Sequence, residues 1–160
     1  MPAFASDRGQ HPDGQPWVKP FQACTESDRS PVTLSVEQVQ RGSPTVRISA
    51  RNRTDRTLPF VMAVPEQLYS VTVLGPGGIP SQVLDSQAEM FKPGRDMRHI
   101  LSNGPTFVAL PPHGEVPVWT WKVGDDFDMS VSGVYQVSLG GRIEFLGSTI
   151  CSNTALVTVQ

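Results

Sequence analysis

Three carboxylates and a hydroxyl stand close together at Asp125, Asp126, Asp128 and Ser130 in the stretch GDDFDMSVSGVY. Acidic groups at alternate positions are the raw material of a calcium loop. Such a loop also needs a glycine at its sixth position and a glutamate at its twelfth. Counted from Asp126, Val131 and Val137 stand there instead. The same residues suit a structural turn better. Asp128 and Ser130 can bond nearby backbone N–H groups, and Gly133 accepts backbone angles that a side chain resists. Tyr135 then opens the alternation Tyr135, Val137, Leu139. The expectation is a turn built on Asp128, Gly133 and Tyr135, with the tyrosine hydroxyl bonded to a backbone group within residues 128–132.

Catalytic chemistry is not expected. His11, His99 and His113 lie in unrelated stretches, and no nucleophile-elbow or Cys/His signature is present. No cofactor or metal is expected either. A blue-copper site needs a histidine and a methionine close after its cysteine, and no histidine follows Cys151. The two cysteines, Cys24 and Cys151, have no zinc-type spacing. They are expected to pair in an exported protein, the alternative being two separate buried thiols. Ala3-Phe4-Ala5 has the A-x-A form of a signal-peptidase site, although no charged or apolar region precedes it. The expected location is periplasmic or extracellular, with the cytoplasm left open.

Binding chemistry has three candidates. Trp119 and Trp121 fall on one strand face about 7 Å apart; exposed, they would offer a sugar or peptide platform, and buried, they would belong to a core. Asn52-Arg53-Thr54 is a formal glycosylation sequon, but Asn and Thr are also good turn residues. The third candidate is the segment 85–105, DSQAEMFKPGRDMRHILSNGP, which carries Phe91, Lys92, Arg95, Met97, Arg98, His99 and Ile100. Aromatic, Met and Arg side chains are enriched at the centres of protein interfaces. Phe91, Arg95, Met97, Arg98 and His99 are therefore the expected protein-binding residues. The competing reading has Phe91, Met97 and Ile100 pinning the loop to the body while the charges face water. A formal net charge of −2 argues against a nucleic-acid partner, and no apolar run approaches the ~18 residues that span a bilayer.

These residues must be positioned by strands. VTLSVEQV places Val32, Leu34 and Val36 on one face, and TVRISARN alternates Val46, Ile48 and Ala50 inward with Thr45, Arg47, Ser49 and Arg51 outward. LYSVTVL does the same with Tyr69, Val71 and Val73. GSP, RTDRT, GPGG and PPHGE punctuate these runs. Further strands are expected at IPSQVL, TFVAL, VPVWTWKV, VYQVSL, IEFLG and TALVTV. Fourteen glycines and 15 prolines spread along the chain suit many short strands joined by turns. The expected fold is all-β: an antiparallel immunoglobulin or fibronectin type III-like sandwich over residues 31–160, preceded by an irregular arm over 1–30.

The order VRISARNRTDRTLPF, YSVTVLGPGG, FVALPPHGEVPVWTWKV, FDMSVSGVYQV and SNTALVTV resembles a loose group of bacterial Ig-like domains. Their pattern runs through an asparagine turn, a glycine hairpin, an L-x-PG step, a G-x-Y strand and a closing Ser-Asn. The resemblance covers about residues 32–159 and implies a non-enzymatic protein-binding or accessory module. Within it the chain is distantly similar to BsuPI-type proteinase inhibitors, which implies inhibition as an alternative function. The chain departs from that pattern at His113, inserted before Gly114, and in the long 85–105 segment. A carbohydrate-binding module resting on Trp119 and Trp121 is the second alternative.

Overall fold

Alternation of apolar and polar residues decides which face each strand buries. In the computed structural model, which describes residues 30–62, 69–84, 106–143 and 148–160, it yields nine strands. They are β1 (Val32–Gln38), β2 (Thr45–Asn52), β3 (Leu58–Met62), β4 (Ser70–Leu74), β5 (Thr106–Leu110), β6 (Glu115–Lys122), β7 (Gly133–Ile143), β8 (Ser148–Cys151) and β9 (Ala155–Val159). Every strand pairing is antiparallel. One sheet runs β1-β2-β6, and a second is centred on β7, with β4 on one edge and β8 and β9 sharing the other. A separate pair, β3-β5, completes the fold. Val32, Leu34, Val36, Val46, Ile48 and Ala50 of the first sheet join Val71, Val73, Tyr135, Val137, Leu139 and Val157 of the second in one buried cluster. Two sheets facing a common core make an antiparallel β-sandwich.

Strict alternation fails at one place in β2. Ile48, Ser49 and Ala50 are all buried, although Ser49 is expected outside. Beside it β6 bulges: Ile48 opposes Trp119 while Ser49 opposes Pro117, which leaves Val118 as the extra residue of β6. Proline lacks an N–H for the ladder, so a bulge is where it is tolerated inside a sheet. IPSQVL also differs from expectation. It forms no strand; only Pro80 and Val83 make isolated bridges, to Leu74 and Phe127.

The seam between the two sheets is closed by side-chain amides. β8 and β9 are interrupted at Ser152, whose N–H donates to the Leu139 carbonyl and whose Oγ accepts from the Leu139 N–H. Asn153 thereby faces β1. Its Oδ1 accepts from Val36 N–H at 2.8 Å and its Nδ2 donates to Val36 O at 2.9 Å. Gln38 of β1 reciprocates. It accepts from Thr158 N–H at 3.1 Å and donates to Thr158 O at 2.8 Å. Each amide substitutes for one peptide unit of a neighbouring strand, satisfying edge groups that would otherwise be open to another chain.

Candidate functional site

The five residues expected to bind a protein, Phe91, Arg95, Met97, Arg98 and His99, lie outside the described residues, as does all of 85–105. The structure does define the frame on either side of them. Before the segment, Leu84 N–H donates to Asp126 O and Asp128 N–H donates to Gln82 O, both at 2.8 Å. Val83 and Phe127, bridged between these bonds, are buried. After the segment the chain enters β5 at Thr106, opposite Met62 of β3. The next residue, Phe107, is 55% exposed. Sequence reading missed it because TFVAL scans as an ordinary strand. Its outward direction follows from β5 alternating with Val108 and Leu110, of which Val108 packs against the core and Leu110 is fully buried.

The corner that holds the first anchor is built from the acidic run. Trp121 Nε1 donates to Asp126 Oδ2 at 2.7 Å, and the Trp121 ring meets Phe127 edge-on with centroids 6.2 Å apart. Burial pushes the Asp126 carboxyl above its ordinary value of 3.8; the indole hydrogen bond works against that shift, and the charge of Asp125 adds to it. Asp128 goes the other way. Its Oδ1 accepts from Ser130 Oγ at 2.6 Å and from Ser130 N–H at 3.0 Å, and these bonds hold it below 3.8. Tyr135 Oη donates to the Val131 carbonyl at 2.6 Å. Gly133 has φ +146°, and a Cβ there would stand 2.6 Å from Pro76 Cγ. The carboxylates of Asp126 and Asp128 thus serve different partners. Among the described residues, no three His, Cys, Asp or Glu side chains gather as ligands for one ion.

The raised Asp126 pKa carries a pH signature. The protonated carboxyl is favoured in the folded state, so its contribution is fully present below pH 3.8 and is lost as pH rises through the folded value. Asp126→Asn keeps an oxygen acceptor for Trp121 and stays neutral. The variant should therefore gain thermal stability relative to the parent as pH rises from about 4 to about 7. Melting curves at several pH values check this, and a difference that shrinks over that range would count against it.

At the opposite end of the sandwich one buried asparagine joins two turns. Asn52, fully buried, donates through Nδ2 to Arg56 O at 2.6 Å and to Leu110 O at 3.0 Å. Its Oδ1 accepts from Thr54 N–H and Thr54 Oγ, both at 2.8 Å. Both donors and both acceptor positions of the amide are used. The nitrogen of the sequon is consumed in this network, so Asn52-Arg53-Thr54 is a structural turn. Asn52 N–H also donates to Gly114 O, and His113 N–H to Thr54 O. The asparagine turn and the LPPHG step are therefore one hydrogen-bonded unit. His113 takes a left-handed φ of +56° there, and its Nε2 lies 2.6 Å from Asp55 Oδ1. Sequence reading found the turn but not this pairing, because Asp55 and His113 are far apart along the chain.

Trp121 is 4% exposed and Trp119 packs half-buried against the core, so the pair offers no open two-ring platform. Cys151 ends β8 opposite Gly140, whereas Cys24 lies outside the described residues. Four large apolar side chains, Ile79, Val131, Val134 and Leu156, are exposed around β7, β9 and the turns beside them. No helix among the described residues is long and apolar enough to cross a membrane. A scan against protein-family models finds no match to this chain, and a search of curated proteins finds none either.

Proposed function

We propose that the chain is a non-enzymatic Ig-like module that binds a protein partner, with recognition carried by residues 91–100. Phe91 and Met97 are the apolar anchors, Arg95 and Arg98 orient the partner, and His99 lies beside them. The observation that carries this reading is the frame. A well-packed sandwich spends 21 residues between two pinned points, Leu84 and Thr106, and places the exposed ring of Phe107 at the return. Extra loop length costs little in closure entropy, about 0.6 kcal/mol per doubling, so it is readily retained for binding. Export to an oxidising compartment, with Cys24 and Cys151 bridged, belongs to the same proposal.

The binding test uses a partner captured from the native host. Phe91→Ala and Arg98→Ala should each weaken binding by roughly 1 kcal/mol or more. Unchanged affinity in both variants would end the proposal. Proteinase inhibition of BsuPI type is the second reading. It draws on the union of the asparagine turn with the LPPHG step, two parts of that pattern, through the bonds of Asn52 to Leu110 and Gly114. Stoichiometric slowing of a panel of serine proteases, with the chain left intact, would favour it.

A further inference from the structure

Where the β2–β3 and β5–β6 turns join, three exposed guanidinium groups have no acidic partner among the described residues. Arg51 is the penultimate residue of β2, and Arg53 and Arg56 lie in the turn that follows. Arg51 and Arg53 flank the buried Asn52 in extended chain, so both emerge on the solvent side. Arg56 is folded back toward them. Its carbonyl accepts from Asn52 Nδ2 at 2.6 Å and its N–H donates to Thr54 Oγ at 3.3 Å.

The same sheet shows what a paired arginine looks like. Arg47 of β2 faces Glu37 across the ladder and binds it at 3.0 Å. At Arg51 the β1 neighbour is Thr33, and the β6 neighbour Glu115 instead accepts from Ser35 Oγ at 2.8 Å. Asp55, in the same turn as Arg53 and Arg56, is taken by His113. Among the described residues neither nearby acid bonds a guanidinium, so the three forks are open to an outside carboxylate.

We propose that Arg51, Arg53 and Arg56 form a docking surface for a short, carboxylate-rich segment of a protein partner. A guanidinium presents a planar fork matched to carboxylate. The backbone that carries these forks is fixed by the four bonds of Asn52, so little ordering is needed on binding. Three cations, one at the end of β2 and two in the turn that follows, match a short acidic stretch, and the overall charge of −2 disfavours a long polyanion. The three arginines lie outside the 85–105 segment in the sequence, and the proposal does not rest on that segment.

Fluorescence anisotropy of a labelled deca-glutamate peptide, titrated with the full chain at low ionic strength, tests the proposal; a thymidine decamer is run in parallel. The peptide should bind, and salt near physiological strength should weaken it. Each single Arg→Ala change should cost about two- to fivefold, and the triple variant more than about tenfold, with melting temperatures unchanged. Lys122→Ala, an exposed cation at the far end of β6, should leave peptide binding as it is, which shows that the effect is local to the three arginines. Equal binding by the triple variant, no binding at low salt, or tighter binding of the decamer would each overturn it.

Discussion

Asn52→Ala is expected to lower stability by roughly 3 to 4 kcal/mol, at about 1 kcal/mol for each hydrogen bond of the amide. The loss is large because the site is dry. Asn52 is fully buried, and Leu110 O would lose its amide donor where water does not replace it. The turn 53–57 would lose its internal support as well, since Thr54 and Arg56 are both held by the same side chain. Urea denaturation reads the effect as a lower midpoint at unchanged slope. Asn52→Asp is the informative companion, because it keeps the acceptors, removes both donors and places a charge in a buried site. It should be no better than alanine.

Reduction is expected to have the other large effect. A bridge between Cys24 and Cys151 joins residues 127 positions apart. Closing a loop of that size stabilises by ~4–5 kcal/mol in the chain-entropy model. The position of Cys151 suits such a tether. Its neighbour Ser152 bridges Leu34 in β1, the strand into which the segment carrying Cys24 leads. Non-reduced protein should therefore take up no alkylating reagent, and reductant should move the denaturation midpoint down sharply. Two alkylated cysteines in the non-reduced protein would contradict the pairing.

What was legible in the sequence follows the range of each interaction. Period-two runs located β1, β2, β4 and the start of β7, because alternation is a local consequence of burying one face. Asp128, Ser130, Gly133 and Tyr135 were readable as a turn for the same reason: the side-chain hydrogen bonds of Asp128, Ser130 and Tyr135 all close within a few residues. The reach of Asn52 to Leu110 was not readable, since an asparagine that caps its own turn and one that ties two distant turns have the same local sequence. The bulge between Ile48 and Ser49 left only a faint signal, Pro117 inside an apparent strand. The seam of Gln38 and Asn153 left none, because an amide standing in for a peptide unit depends on which strands become neighbours. Of the candidate site, the anchors at Leu84 and Thr106 emerged only from pairing with Asp126 and Met62.

Stability in the sandwich and recognition in the 85–105 segment should be separable, and thermal denaturation of Phe91→Ala beside Asn52→Ala tests that separation without any partner in hand. Phe91→Ala should melt within about 1 °C of the parent, while Asn52→Ala should melt roughly 10 °C lower, as expected for a chain of this size losing 3 to 4 kcal/mol. A clear drop in the melting temperature of Phe91→Ala would mean that Phe91 serves as a lid on the core, and would contradict its role as an anchor for a partner.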